Sequence, residues 1–148
     1  MQKITPFLWF DGDAEEAAQF YTSVFEDSKI VSVMPGQGGK AAGITFTISG
    51  QTFMVLNGGP QFHFTEAISL FVSCATQAEV DMYWEKLSAG GGAPGQCGWL
   101  KDKYGLSWQI IPTVLTDLMG GSDRERAGRV MQAMLAMTKI DIATLESA

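Results

Sequence analysis

The stretch TPFLWFDGDAEEAAQFYTSVF (5–25) decides the fold, because it joins a strand pattern directly to an amphipathic helix pattern. Residues 4–10 are apolar and aromatic, which favours a strand, and Pro6 near the start is typical of a strand at or near a sheet edge. Small and aromatic side chains then recur at helical spacing along the rest of the stretch. Asp13 and Glu16 have the spacing of a capping box at the start of that helix.

Three further strands are predicted after this helix. Residues 29–34 and 52–57 are apolar runs, and residues 43–50 alternate Ile and Phe with Thr and Ser. Such period-2 alternation is typical of a strand with one buried face. The element order of this first half is therefore β-α-β-β-β.

The same order starts again with the predicted strand AISLFVS (67–73). Helix positions in the two halves superpose at an offset of 63 residues, which carries Asp13 onto Thr76. Near the end of each half, a Gly-x-x-aromatic pattern recurs at an offset of 55, from Gly50 to Gly105. An internal repeat of this size implies two copies of one supersecondary unit.

We accordingly expect a single domain made of module one (1–60), module two (65–112) and a helical tail (113–148). The tail contributes no predicted strand. Asp123 or its neighbour Ser122 can cap a Met-rich helix there, so we expect the tail to pack on the outside or on a partner.

Composition and charge exclude several classes of protein. Hydrophobic residues make up 46% of the 148 residues and charged residues 18%, which is typical of a globular chain and not of a disordered one. The net charge is −6 and the Lys and Arg residues are scattered, which argues against nucleic acid and anionic membranes as partners. No apolar run approaches the roughly 20 residues of a membrane-spanning helix. With two cysteines and no signal-peptide pattern, we expect a cytoplasmic protein.

Four stretches resemble the PhnB-like subfamily of the vicinal-oxygen-chelate (glyoxalase/bleomycin-resistance) superfamily. They are TPFLWFDGDAEEAAQFYTSVF, VLNGGPQFHFTEAISLFV, GQCGWLKDKYGLSWQIIP and RVMQAMLAM. The resemblance implies an α+β fold in which two βαβββ modules form curled sheets around a cleft, with the helices outside and further helices at the C-terminus. It also implies a homodimer.

Relatives in this subfamily often carry the label demethylubiquinone methyltransferase. A literal G-x-G-x-x-G occurs at Gly90, Gly92 and Gly95, but it follows a predicted helix, contains Pro94 and leads into a short strand. A nucleotide-binding turn of this type joins a strand to a helix, so the motif is interpreted as a helix end and a loop.

Metal ligands in the superfamily come from the first and last strands of each module. The resemblance and the offsets place these positions at Pro6, Met54, Ser69 and Gln109, of which only Gln109 has a donor suited to such a metal. The four strand segments contain no His, Asp or Glu in either register. We therefore expect no metal and no other cofactor.

Aromatic residues on the predicted strands are the remaining indication of function. In the predicted register Phe10, Phe71 and Trp99 face the cleft, whereas the rings that pack under the helices are Trp9, Phe53 and Trp108. The predicted ligand-binding residues are Phe10, Met54, Asn57, Ser69, Phe71, Trp99 and Gln109. Such a lining suits a small, partly apolar organic molecule, although rings that only fill the interface between modules would give the same pattern.

The predicted function is therefore binding of a small organic molecule without a catalytic metal. The alternatives are an enzyme of the superfamily (a metal-dependent lyase, isomerase or dioxygenase), a methyltransferase, or an interaction protein that acts through its Met-rich tail. No catalytic residue is identified. His63, Glu66 and Cys97 are candidates for chemistry, and each is also explained as an ordinary loop, surface or structural residue.

Overall fold

Residues 2–148 are described by the computed structural model, and they form two units that divide between His63 and Phe64. Each unit contains one four-stranded sheet and one helix in the order β-α-β-β-β, and three more helices follow in the second unit. The predicted α+β fold of two βαβββ modules with C-terminal helices is confirmed.

The first unit has a mixed sheet with the strand order β1-β4-β3-β2. Strand β1 runs parallel to β4, and the other neighbours are antiparallel. The elements are β1 (Phe7–Phe10), α1 (Ala14–Val24), β2 (Lys29–Pro35), β3 (Ala41–Ile48) and β4 (Gln51–Asn57).

Helix α1 packs on one face of this sheet through small side chains. Ala14, Ala17 and Ala18 are fully buried, so the helix backbone can approach the strands closely. Tyr21 stacks on Phe46 of β3 with ring centroids 6.2 Å apart, within the distance range of aromatic pairs. The apolar side chains that alternate along β3 therefore face α1 and form the core of the unit.

The second unit repeats the topology with the strand order β5-β8-β7-β6. Its elements are β5 (Ser69–Cys74), α2 (Gln77–Ser88), β6 (Ala93–Pro94), β7 (Trp99–Lys101), β8 (Ser107–Pro112), α3 (Thr113–Gly120), α4 (Arg124–Leu135) and α5 (Ile142–Ser147). The Thr76 hydroxyl caps α2 by accepting a hydrogen bond from the Glu79 backbone N–H. At the corresponding position of α1 the prediction of a side-chain cap is wrong, because Asp13 makes no such hydrogen bond.

The C-terminal tail is built into the second unit. Its apolar side chains share a buried cluster with strand β8, formed by Ile111, Leu115, Val130, Ile140 and Leu145. The Gln77 side chain donates to the Ile140 carbonyl and accepts from the Ile142 N–H, at 3.0 and 2.8 Å. The N–H groups of Cys97 and Gly98 donate to two further tail carbonyls. The tail is thus fastened both to the start of α2 and to the turn before β7.

The helices of the two repeats superpose at one residue offset, and the first strands superpose at another. Phe7 pairs with Met54, and Phe71 pairs with Gln109, so β1 superposes on β5 at 64 residues and not at 63. The extra residue lies in the turn before α1, where Asp11 and Gly12 stand in place of one residue, Ala75. Gly12 has φ +86°, which is a conformation that glycine adopts without strain.

This extra residue reverses the predicted faces of β1. Phe10 is buried in the core at 4% exposure, and Trp9 lies on the opposite face, so both orientations predicted for β1 are wrong. A shift of one residue moves a strand's side chains to the other face, which is the physical reason for the error. Phe53 and Trp108 are buried as predicted.

No helix within residues 2–148 is both long and apolar enough to cross a membrane.

Candidate ligand-binding site

A cavity of about 500 Å³ lies in the second unit, between the sheet and the helices α3 and α4. We call the sheet surface that points away from α2 the open face of the second sheet. From this face the cavity is lined by Phe71, Trp99, Gln109 and Ile111. Helix side chains, among them Leu115, Met119 and Met134, form the opposite wall.

Strand register brings Phe71, Gln109 and Trp99 into one row. Phe71 of β5 is the partner of Gln109 in β8, and Gln109 is in turn the partner of Trp99 in β7. Residues that pair across neighbouring strands point to the same face, so two rings flank one amide. The structure thus brings together three of the predicted ligand-binding residues.

Ser69 orients the amide of Gln109. The Gln109 Nε2 donates to Ser69 Oγ at 3.0 Å, which fixes the plane of the amide beside the cavity. A glutamine amide has four hydrogen-bonding positions, and Ser69 uses one of them. Ser69 therefore acts as a support for Gln109.

The other three predicted ligand-binding residues belong to the first unit, and two of them have structural roles. Phe10 is a core residue. The Asn57 side chain accepts from the Ala14 N–H and donates to the Ala41 carbonyl, each at 2.9 Å, so it caps α1 and ties it to β3. Met54 lies on the face of the first sheet opposite α1.

Side chains of α3 and α4, together with Cys97, form the rest of the cavity wall. This part of the wall was not among the predicted ligand-binding residues. Cys97 stands in the turn before β7 with φ +58°, and its N–H donates to the Met137 carbonyl of the tail. The apolar stretch TVLTDLMGG directly after the last strand was the available signal, since apolar helix residues need a surface on which to be buried.

A second cavity of about 440 Å³ lies on the other side of Trp99. Its polar side chains are those of Glu66, Gln96, Lys101 and Ser107, and strand β6 with the turn after it forms another part of the lining. Lys101 forms an ion pair with Glu66, and this hydrogen bond and charge lower the pKa of the Glu66 carboxyl. Ser107 is 1% exposed, and its Oγ has no hydrogen-bond partner among residues 2–148.

His63 is the remaining candidate for chemistry, and it lines neither cavity. His63 is exposed in the segment that ends the first unit. Cys74 is buried, and its burial, with the Glu79 charge second, raises the pKa of the thiol to about 11.

A family model described as 3-demethylubiquinone-9 3-methyltransferase matches residues 2–111. The PhnB protein from Bacillus cereus, which bears the same methyltransferase description, is 42% identical to this chain. Its solved structure superposes with a TM-score of 0.71 and covers 75% of this chain and 99% of its own. The chain belongs to the PhnB-like 3-demethylubiquinone-9 3-methyltransferase family. No curated protein matches the chain.

More distant structures share the fold of this PhnB-like protein. The protein PA1353 from Pseudomonas aeruginosa is 16% identical, covers 76% of this chain and 98% of its own, and has a TM-score of 0.64. The fosfomycin resistance protein FosX from Listeria monocytogenes, solved with Mn(II) and sulfate, is 15% identical, covers 73% and 87%, and has a TM-score of 0.51. At these identities the likeness shows a shared fold.

The residues of the PhnB-like chain do not fit the metal that the superfamily implies. The four predicted family positions hold a proline, a thioether, a hydroxyl and an amide, at Pro6, Met54, Ser69 and Gln109. The 64-residue offset of the first strands corrects the counterpart of Ser69 from Pro6 to Thr5, which offers only a hydroxyl. Divalent metals of this kind are bound by imidazole, carboxylate or carbonyl donors, and among these positions only the Gln109 amide provides one. Within residues 2–148, no three His, Cys, Asp or Glu side chains are grouped so that they could hold a metal ion.

The methyltransferase description rests on the family name. The glycines of the G-x-G-x-x-G motif lie between the end of α2 and strand β7, and Gly90 follows the helix with φ +72°. The motif is therefore a helix end and a loop, as predicted, and not a strand-to-helix turn that would hold a nucleotide-like cofactor.

Proposed function

We propose that this PhnB-like protein binds a small, partly apolar organic molecule in the cavity beside α3 and α4. The observation that carries the proposal is the row Phe71–Gln109–Trp99, which presents two rings and one oriented amide to a space of about 500 Å³. A volume of this size lies within the range of small-molecule sites, and such sites combine apolar walls with few polar groups.

Exposure of the rings supports this proposal. Phe71 is 55% exposed, although a phenylalanine at the centre of a strand is more stable when covered. A flat apolar ligand would cover this ring and contact Trp99, while the Gln109 amide would select its orientation by a hydrogen bond.

The proposed function includes no metal or cofactor and assigns no reaction. The side chains at the family positions are poor donors for a metal, which supports ligand binding as the simplest activity. An enzyme of the superfamily and a methyltransferase remain the alternatives, and turnover of a bound compound would favour one of them.

We further propose that the protein is a cytoplasmic homodimer. Phe7 and Met34 of the first unit are 54% and 66% exposed, so a second copy would remove apolar surface from water. The free thiols of Cys74 and Cys97 suit a reducing compartment. Light scattering after size exclusion tests the dimer, and a single-chain mass at micromolar concentration would contradict it.

The binding proposal is tested with a neutral aromatic probe, 4-hydroxyphenylacetamide, followed by the NMR signals of the four tryptophan indole N–H groups. We expect the probe to shift the Trp99 signal and to leave Trp108, whose indole is bonded to Asp102, in place. Phe71→Ala and Gln109→Ala should each weaken binding about tenfold.

Phe62→Ala is the control, since Phe62 is an exposed phenylalanine that lines neither cavity. Binding that tolerates Phe71→Ala and Gln109→Ala would overturn the assignment to this cavity.

A further inference from the structure

Ser107 is an unexplained polar group beside the proposed site. Its side chain is 1% exposed, lines the second cavity, and has no hydrogen-bond partner for its Oγ among residues 2–148. A buried hydroxyl without a partner destabilises a fold, and such groups in native proteins often mark a function. The hydroxyl can donate to an acceptor atom that enters the cavity.

A cation stands directly opposite this hydroxyl. Lys101 of β7 is the register partner of Ser107 in β8, so both side chains leave the sheet on the open face. Lys101 extends from a strand with its side chain 47% exposed, and its ion-pair partner Glu66 lies in the turn before β5 and is 60% exposed. The cavity thus offers a buried hydroxyl donor and an ammonium that can exchange its partner, and the two together suit an anionic oxygen.

The two cavities share Trp99. Ser107 and Gln109 are two residues apart on one strand, and their side chains leave it roughly 7 Å apart on the same face. A molecule with one ring and a short acid side chain has this span. One ligand can therefore contact Gln109 and Ser107 together.

We propose that the second cavity is a carboxylate subsite, and that the ligand is a small aromatic carboxylic acid. This inference rests on the proposed function. The ring lies on the Phe71–Gln109–Trp99 row, and the carboxylate accepts hydrogen bonds from Ser107 Oγ and Lys101 Nζ. Glu66 gives up Lys101 to the ligand and turns into solvent, so the charge of Lys101 stays balanced by one carboxylate throughout.

Lys101 already holds one carboxylate, that of Glu66, in an ion pair. Glu66 then competes with the ligand for Lys101. Removing the Glu66 charge should strengthen binding of the acid and leave binding of a neutral analogue unchanged.

The test compares 4-hydroxyphenylacetate with 4-hydroxyphenylacetamide, by calorimetry and by the Trp99 indole signal. We expect the acid to bind about tenfold more tightly than the amide. Ser107→Ala and Lys101→Met should each lower the affinity for the acid about tenfold, while Glu66→Gln should raise that affinity several-fold. Ser107→Ala should keep or raise the Tm, because it removes a buried group without a partner.

Ser73→Ala and Lys86→Met are the matched controls. Ser73 is an exposed serine of β5 that lies two residues after Phe71 and on the same face of the strand. Lys86 is an exposed lysine of α2. Both variants should keep acid binding within about twofold of the parent protein, since neither side chain lines a cavity.

Two results overturn the subsite in different ways. Equal binding of acid and amide, unaffected by Ser107→Ala, would remove the carboxylate subsite and leave the proposed function standing. Failure of both probes to bind, with no change at Trp99, would overturn the proposed function as well.

Discussion

The Asp102 carboxylate accepts a hydrogen bond from the indole N–H of Trp108 at 2.9 Å, and both side chains are buried. Its other oxygen accepts from the backbone N–H groups of Tyr104 and Leu106. One buried carboxylate thus shapes the hairpin between β7 and β8. That hairpin sets Lys101 opposite Ser107 in the register of the sheet.

Replacing Asp102 with alanine should strongly destabilise the protein. The substitution leaves the Trp108 indole and two backbone N–H groups buried without an acceptor, so we expect the free energy of unfolding to fall by about 3 kcal/mol or more. Urea unfolding followed by tryptophan fluorescence measures the change. Asp117→Ala, at an exposed position of α3, is the control, and similar losses in both variants would contradict this role.

Gly98 and Gly105 should respond very differently to alanine. Both have φ near +85°, so alanine is strained at either position by about 1 kcal/mol. At Gly98 the new Cβ would also lie 2.8 Å from Ile111 Cδ1 and 3.1 Å from the Ile110 carbonyl, whereas at Gly105 it would meet open space. We expect thermal unfolding to show a clearly larger loss for Gly98→Ala, and equal losses would be inconsistent with the packing around Gly98.

Gln77 attaches the tail to α2 through its side chain. Because its amide bonds both the Ile140 carbonyl and the Ile142 N–H, Gln77→Ala should cost about 1–3 kcal/mol of stability. Hydrogen exchange should rise in α5 more than in β3. Gln132→Ala, at an exposed position of α4, should cause neither effect.

The two thiols should differ in reactivity. Iodoacetamide at pH 8 should alkylate the half-buried Cys97 in the native protein and reach the buried Cys74 only after unfolding, as read by mass spectrometry. Folding raises the pKa of Cys74 from 9.0 to about 11, so the stabilisation from keeping this thiol protonated is complete below pH 9. That stabilisation is lost as the pH rises towards 11. A Cys74→Ala variant should lose less stability over this range than the parent protein.

Added metals should not bind at the family positions. Native mass spectra of the tag-free protein, recorded with and without Zn(II), Ni(II), Mn(II) and Fe(II), should show no stoichiometric metal on each chain, because only Gln109 offers a suitable donor. One retained ion per chain would contradict this expectation. An additional organic mass on the protein would identify a ligand directly.

The helices and the order of elements along the chain could be predicted because their signals are local. The Thr76 cap and the Ile–Thr alternation of β3 each act within a few residues, and both are present in the structure. The orientation of β1 could not be predicted from the repeat, because the helices superpose without a gap. The extra residue at Asp11–Gly12 lies in a turn, which has no periodicity that would reveal it.

The candidate site was predicted only where the strand pattern determines the face. Phe71, Trp99 and Gln109 meet because their registers align, which alternation can anticipate. The wall formed by α3 and α4 depends on how the tail folds back, and its attachment to Gln77 and Gly98 joins residues far apart in sequence. Asn57 was assigned to the ligand because the sequence does not show that its amide caps α1.

The unequal turns before α1 and α2 determine how residues can be exchanged between the halves of this protein. A ligand-contacting residue grafted from β5 must be moved back by 64 positions in the first strand, from Phe71 to Phe7, but one grafted from α2 by 63. A redesign that made the two halves identical by using one offset throughout would turn the side chains of one first strand to the opposite face. Its ligand-binding residues would then point into the core. Deleting one residue from the Asp11–Gly12 turn would have to accompany any symmetric redesign.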